Sequence, residues 1–209
     1  MLEYFSGGGS GDRIPLIKFS AMDGRFRTSD RVNEGGQWRS EDAEITMPTQ
    51  FVMDFENIEL GWIAYKPQPD FIVVKYGEPK PPKPDAQDQD GNPLYKDGFR
   101  IRLGNPSTGL REFSSTSGNV FKALGVVFGR WQAEKAANPG MMPVVEITGT
   151  NRTDKGWHVP VWDIVKWVPA PDFMTGEETA PAAEQAVPAP SPAPAAAPQP
   201  PAAAGTDLF

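Results

Sequence analysis

The chain has 209 residues, with 20 Lys and Arg against 27 Asp and Glu, a formal net charge of −7 and no Cys. The lack of Cys excludes disulfide frameworks, thiolate catalysis, zinc ribbons and iron–sulfur clusters. All 20 basic residues precede Met174, whereas Glu177, Glu178, Glu184 and Asp207 follow it, so the region before Met174 is nearly neutral. A nucleic-acid site in this chain must therefore come from a local arrangement of charge and not from a general positive excess.

Residues 1–12 predict a flexible lead, because Gly and Ser fill positions 7–11. The N-terminus shows no basic segment followed by an apolar run, and no stretch of roughly 18 consecutive apolar residues occurs in the sequence. These features predict a cytoplasmic protein that does not contact a membrane.

Residues 13–173 predict one domain that is mainly β, because apolar residues alternate with period two along most of this region. In Gly98–Leu103, Phe99 and Leu103 point to one side while Arg100 and Arg102 point to the other, which is typical of a half-buried strand. The expected strands are Ile14–Met22, Arg25–Thr28, Thr49–Glu56, Ile58–Tyr65, Phe71–Tyr76, Gly98–Leu103, Leu110–Ser114, Pro143–Thr150 and Trp157–Val168.

Two segments interrupt the strand pattern. Residues 77–96 are rich in Pro and charge and predict a long hairpin insertion, with a turn at Asp90-Gly91. From Asn119 to Ala137 apolar residues recur every three or four positions, which predicts one amphipathic helix with Ser117 as its N-cap. Short strands with a single helix between the later ones favour a small, closed or partly open barrel of the OB type; a β-sandwich with one crossing helix is the alternative.

Residues 174–209 predict a disordered tail, because Pro and Ala dominate Thr179–Ala204 and cannot build a core. The sequence then reads Gly205-Thr206-Asp207-Leu208-Phe209. An acidic residue beside two large apolar residues on a flexible leash predicts a partner-binding tip formed by Asp207, Leu208 and Phe209.

This combination of a β-rich, aromatic-rich domain, a Pro/Ala leash and an acidic-hydrophobic tip resembles the single-stranded DNA-binding proteins of bacteria and their phages. The resemblance implies an OB domain that holds single-stranded DNA and a tip that recruits replication, recombination or repair proteins. It covers the architecture of the whole chain, and Asp207-Leu208-Phe209 is the motif that carries over residue by residue.

Single-strand binding without sequence preference requires exposed rings on which bases stack, interleaved with cations that contact phosphates. Aromatic residues stand beside basic residues at several places in this sequence, mostly on predicted strands. The candidate DNA-binding residues are Arg25, Phe26, Arg27, Trp38, Arg39, Trp62, Tyr65, Lys66, Lys75, Tyr76, Arg100 and Arg102.

No recognisable arrangement of catalytic residues is present in the sequence. The single histidine, His158, lies in an apolar strand and predicts a structural role. We therefore expect no enzyme activity, no catalytic residue, no cofactor and no metal. Two alternatives stay open. One is a β-rich protein-interaction or virion-associated module whose tail is a linker. The other is a hydrolase or nuclease that brings two carboxylates, from acids such as Asp54, Glu56 and Asp163, into one cleft. The sequence also leaves a homo-oligomer open.

Overall fold

The computed structural model describes residues 14–175, which lie within one compact unit. Most of the predicted lead and tail, including Asp207, Leu208 and Phe209, lies outside the described residues. The helices are α1 (Gly118–Glu134) and α2 (Asp172–Thr175), with 3-10 turns at Phe55–Asn57 and Lys135–Ala137. The strands are β1 (Leu16–Ser20), β2 (Arg25–Glu34), β3 (Gln37–Glu44), β4 (Thr49–Met53), β5 (Glu59–Ala64), β6 (Asp70–Lys75), β7 (Lys96–Asn105), β8 (Gly109–Ser115), β9 (Met141–Arg152) and β10 (His158–Pro169).

The prediction of a mainly β domain with one long helix is confirmed. The strands form one 10-stranded sheet in the order β10-β9-β4-β7-β8-β1-β2-β3, with β5 and β6 branching from β7. All pairs are antiparallel except β1 with β8. Within residues 14–175 the strand ladder does not close into a ring. The start of β10 nevertheless reaches the β1–β2 turn, where the His158 backbone N–H donates to the Ala21 carbonyl over 2.8 Å.

The core lies between the curled sheet and α1. Every third or fourth residue of α1 faces it, and Val120, Leu124, Val127 and Trp131 are buried. Aromatic rings from the sheet fill the rest, and each fully buried ring stabilises the fold by about 1.5–3 kcal/mol. The sheet rings that are almost completely buried are Phe26, Phe51, Phe99 and Phe113, together with Phe55 in the 3-10 turn after β4.

A second, smaller apolar cluster lies at the C-terminal end of the domain. Val52, Val144 and Met174 are buried there, with Phe173 packed against them. Gly104 allows the close approach, because a Cβ at this position would lie 2.5 Å from the Gly109 carbonyl oxygen and 3.2 Å from the Phe173 ring. The folded domain therefore includes Met174, which the sequence interpretation places at the start of the tail.

Candidate nucleic-acid interface

One side of the sheet, which we call the outer face, carries Arg100 and Arg102 and is turned away from α1. The strand register places Lys75, Glu59, Arg100 and Ser114 in one row across β6, β5, β7 and β8. The adjacent row continues from Arg102 and Glu112 to Leu16 on β1 and onward to β2 and β3. Seven strands spaced about 4.8 Å apart make this face about 29 Å across, which is long enough for several nucleotides.

Arg100 is half-buried between two carboxylates. Its Nε donates to Glu59 Oε2 over 2.5 Å, and its Nη1 lies 3.8 Å from Glu112 Oε2. The guanidinium carbon also lies 5.2 Å from the centroid of the Phe71 ring. Burial raises the pKa of Glu112, while the nearby Arg100 opposes that shift. The positive charge that Arg100 brings to the outer face is therefore already balanced by these carboxylates.

Arg102 differs from Arg100, although both were expected on the exposed side of β7. Arg102 is exposed and has no ion-pair partner among residues 14–175. Its cross-strand neighbour Glu112 is close enough for the charge of Arg102 to lower the pKa of that carboxyl. Arg102 is therefore the more available of the two for a phosphate.

Tyr65 places an aromatic ring over the outer face. Its side chain is 44% exposed, and its hydroxyl lies 3.1 Å from Ser114 Oγ. The ring meets Phe71 edge-on, with centroids 6.4 Å apart. Partial burial raises the pKa of the Tyr65 hydroxyl, so it stays protonated at neutral pH. Lys66 follows Tyr65 in the chain and is also exposed.

Trp38 provides a second open ring at the far end of the outer face. It lies on β3 opposite Asn33, is 54% exposed and has the Arg31 guanidinium carbon 5.7 Å from its centroid. All eight residues of β3 are exposed, so nothing else covers this hairpin within the described part of the chain. Trp38 with Arg31 is the pairing of ring and cation that base stacking requires.

The Arg25-Phe26-Arg27 prediction is only partly consistent with the structure. Arg25 and Arg27 lie on the outer face, but they pair with Glu44 at 2.7 Å and Asp23 at 2.5 Å. Phe26 is 2% exposed and packs 4.6 Å from Phe19 and 6.0 Å from Phe113, centroid to centroid. The ring of Phe26 has no free face for a base, because strand alternation turns it into the core; this part of the prediction is corrected.

Arg39, Lys75 and Tyr76 do not join these rings. Arg39 points away from the outer face and pairs with Glu34 over 2.7 Å. Lys75 Nζ donates to Asn57 Oδ1 over 3.0 Å. Tyr76 is 50% exposed but lies against α1, with its ring 4.7 Å from that of Phe128. The structure therefore does not bring Tyr76 together with Tyr65 and Trp38.

Trp62 is covered by the insertion, which we call the strap (residues 77–95). Its Nε1 donates to the Pro81 carbonyl over 2.8 Å, and Lys80 Nζ lies 3.8 Å above the ring centroid. Lys80 also pairs with Asp97 over 2.7 Å. The tip of the strap is a turn stabilised by Asp88, whose carboxylate accepts from the backbone N–H groups of Asp90 and Asn92. Trp62 is thus an anchor for the strap and not an open ring.

Sequence reasoning missed four residues that carry the same ring-and-cation chemistry. Lys80 and Lys83 approach Trp62 from the strap, which no local pattern could reveal. Arg31 lies on the part of β2 beyond its predicted end. Trp157, 44% exposed in the β9–β10 turn and two residues after Lys155, is another aromatic residue close to a base in the sequence and could have been found from that signal.

The Nδ1 of the single histidine, His158, lies 2.9 Å from Thr150 Oγ1. Among residues 14–175 no group of three or more His, Asp or Glu side chains is placed to hold a metal ion. No helix in the same range is long and apolar enough to cross a membrane. Comparisons with protein-family models, curated proteins and solved structures find no match for this chain.

Proposed function

We propose that this chain binds single-stranded DNA without strong sequence preference through the outer face, as an OB-like, partly open barrel. The observation that carries the proposal is the pair of exposed rings on one continuous sheet face, Tyr65 and Trp38, the second with the Arg31 guanidinium 5.7 Å from its ring centroid. Each stacked base contributes about 1–3 kcal/mol, and every base has a face that can stack. The proposal assigns the recruitment of replication or repair proteins to Asp207, Leu208 and Phe209, and it involves no catalytic step.

The charge of the outer face supports the proposal although the whole chain is acidic. Basic side chains outnumber acidic ones on this face, and Arg31, Lys96 and Arg102 have no ion-pair partner there in the described range. A local positive surface on a nearly neutral domain favours a polyanion while limiting non-specific attraction. The basic residues on this face are Lys18, Arg25, Arg27, Arg31, Lys75, Lys96, Arg100, Arg102 and, on β10, Lys166; the acidic ones are Asp23, Asp42, Glu44, Glu59, Glu112 and, on β9 and β10, Glu146 and Asp163.

The ion pairs on the outer face do not prevent phosphate binding. Arg25 with Glu44 and Lys18 with Asp42 are exposed pairs, with about half of each side chain accessible. Exposed pairs of this kind contribute only about 0–1 kcal/mol. Replacing the carboxylate partner of such a base by a phosphate therefore costs little free energy. Binding should also weaken steeply as the salt concentration rises, because each phosphate contact releases counterions from the strand.

The test is a titration that follows intrinsic tryptophan fluorescence with oligo-dT, and in parallel with a duplex of equal length, at low and moderate salt. We expect quenching by the single strand that weakens with salt, and little response to duplex. The double variant Arg100→Ala, Arg102→Ala should reduce the slope of log affinity against log salt by roughly 0.7 for each lost phosphate contact. The control is Lys122→Ala, which removes an exposed base from α1, on the other side of the sheet.

The control variant should keep the wild-type slope. An unchanged slope in the arginine variant would remove Arg100 and Arg102 from the site. No fluorescence or affinity response to either nucleic acid at low salt would overturn the proposed function.

A further inference from the structure

Three strands of the sheet have a neighbour on one side only within residues 14–175: β3, β6 and β10. Along the outer side of such an edge strand, backbone N–H and C=O groups point away from the sheet, so the strand can pair with another chain. Soluble proteins block these edges with charged side chains, proline or β-bulges. The three edges of this sheet differ in whether they carry such features.

Two of the edges are blocked. Strand β3 is exposed along its whole length, and half of its eight residues are charged. Strand β10 contains Pro160, which has no N–H to donate. Its register with β9 also shifts twice, after Val161 and after Ile164. Such shifts interrupt the regular ladder that an added strand would have to follow, so pairing with another chain is disfavoured at both edges.

Strand β6 carries none of these features. Its four central residues, Phe71-Ile72-Val73-Val74, are aromatic or β-branched, which are the types that strands prefer. They include no proline or glycine, and the register with β5 runs unbroken from Asp70 to Lys75. In the part of the chain that the structure describes, the backbone of residues 70–74 is hydrogen-bonded to β5 alone. The far side of β6 is therefore open to another strand.

The edge formed by β6 is apolar on both faces of the sheet. The register with β5 places alternate members of the central four residues on the outer face and the others on the α1 side. All four are half-buried, so a further strand would remove apolar surface from water on both sides. The polar contacts lie at the two ends, where Asp70 accepts from the Tyr95 hydroxyl and Lys75 donates to Asn57.

We propose that β6 pairs antiparallel with β6 of a second copy of this chain and so forms a symmetric dimer. A two-fold axis perpendicular to the sheet relates the copies, and either Ile72 or Val73 lies opposite its own counterpart. Both registers set apolar side chains opposite apolar ones on both faces, which stabilises paired strands. Antiparallel pairing also brings Asp70 to the end where the second copy has Lys75, whereas parallel pairing would place like charges side by side.

A second copy suits this edge because β6 is complementary to itself in length, in its apolar centre and in the opposite charges of its ends. The pairing uses β6 alone and does not depend on DNA binding. Six residues span about 20 Å, so the contact is smaller than a standard interface of about 1,200–2,000 Å². We therefore expect reversible association, with a dissociation constant on the order of 10–100 μM.

The first test is disulfide trapping, because the chain has no Cys and one introduced Cys reports a single contact. Residues directly opposite each other in antiparallel strands have Cα atoms about 4.5–5.5 Å apart, which suits a disulfide. Under mild oxidation of the full chain at about 100 μM, Ile72→Cys or Val73→Cys should form a covalent dimer, whichever position lies on the axis. The matched controls are Ser40→Cys on the β3 edge and Val165→Cys on the β10 edge, which should stay monomeric.

The second test is sedimentation of the full chain from about 1 to 200 μM, over which monomer should convert to dimer. Val73→Lys and Val73→Glu should each be monomeric, because two like charges then lie close to the axis. An equimolar mixture of these two variants should dimerise again, a recovery that separates loss of the contact from loss of folding. Ser40→Lys adds a charge to the β3 edge and should leave the association unchanged.

Four results would overturn the proposal. The first is a wild-type chain that sediments as a monomer up to about 200 μM, whatever its affinity for oligo-dT. The second is a mixture of the two Val73 variants that stays monomeric. Equal disulfide formation at all three edges would show random collision and not pairing at β6. A dimer that Val73→Lys retains and that removal of residues 1–12 abolishes would assign the association to the N-terminal residues.

Discussion

Trp38 and Trp62 are both strand tryptophans with a cation over the ring, yet the structure uses them in opposite ways. Trp38 lies on a hairpin without a covering layer, with Arg31 at 5.7 Å and more than half of its side chain exposed. Trp62 lies under the strap, with Lys80 at 3.8 Å and its indole N–H donated to Pro81. The same residue pairing therefore forms an open platform in one region and a structural anchor in the other.

The difference comes from what lies above each ring and not from the strands that carry them. A free cation beside an exposed ring is available to a ligand, whereas Lys80 is also paired with Asp97 over 2.7 Å and holds the strap in place. An aromatic residue next to a base is evidence for a binding platform only where no second layer covers it. Removing each ring should therefore affect a different property.

The largest expected effect is on stability, for Trp62→Ala. The change removes the packing under the strap, the cation–π contact and one hydrogen bond, and we expect a loss of about 2–3 kcal/mol in the free energy of unfolding. Trp38→Ala should change it by less than about 0.5 kcal/mol. Urea unfolding measures both. Trp62→Phe is the control: it keeps a ring under Lys80 and should recover most of the loss. Equal losses for the two alanine variants would contradict the assignment of Trp62 as an anchor.

The next effect is on affinity, for Trp38→Ala. Loss of one stacking ring should weaken oligo-dT binding by about 1–3 kcal/mol, while Trp38→Phe keeps a face on which a base can stack and should retain most of the affinity. Filter binding or anisotropy at a fixed low salt concentration measures the change. If Trp38→Ala binds as tightly as the wild type, the β2–β3 hairpin does not belong to the site.

Periodicity predicted the parts of the fold whose side chains face the core on one side. Helix α1 and strands such as β7 have that pattern and were found within a few residues of their bounds. Strand β3 was not predicted, because all of its residues are exposed and no apolar alternation marks it; it forms by pairing with β2. The alternation of side chains along a strand places Arg100 and Arg102 on the exposed face of β7. The same alternation places Phe26, between Arg25 and Arg27, on the buried face of β2, so its burial could have been inferred from the sequence.

The candidate site was predictable only at the level of residue types. Which cations are free depends on the register between distant strands: Glu59 neutralises Arg100 because β5 pairs with β7, and Glu112 approaches because β8 pairs with β7. The covering of Trp62 depends on the path of the strap, to which no short-range pattern contributes. The contact of Tyr76 with Phe128 likewise requires α1 to pack beside the end of β6, and the helix pattern alone cannot specify which strand lies next to it.

The smallest expected effect is on the pH dependence of stability, and it compares an exposed carboxylate, Asp23, with a partly buried one, Glu112. Hydrogen bonding to Arg27 lowers the pKa of Asp23, at the exposed β1–β2 turn, to about 2, whereas burial raises the pKa of Glu112. The lowered pKa of Asp23 means that its carboxylate stabilises the folded state at pH values above the ordinary Asp pKa, and this stabilisation is lost as the pH falls toward about 2. The raised pKa of Glu112 means that its carboxylate destabilises the folded state at neutral pH, and this destabilisation is relieved as the pH falls. Asp23→Asn should therefore be less stable than the wild type at neutral pH, and Glu112→Gln more stable.

Both differences in stability should shrink in acid, because the wild-type carboxyls then become protonated and are neutral like the amides that replace them in the variants. The difference for Glu112→Gln should fade first, as the pH passes below the raised pKa of Glu112. The difference for Asp23→Asn should decline only below the ordinary Asp value of 3.8 and should be mostly lost by about pH 2. Urea unfolding of the three proteins at steps from about pH 7 to about pH 2 measures both trends. If Glu112→Gln is also less stable than the wild type at neutral pH, Arg100 stabilises the Glu112 carboxylate by more than burial destabilises it.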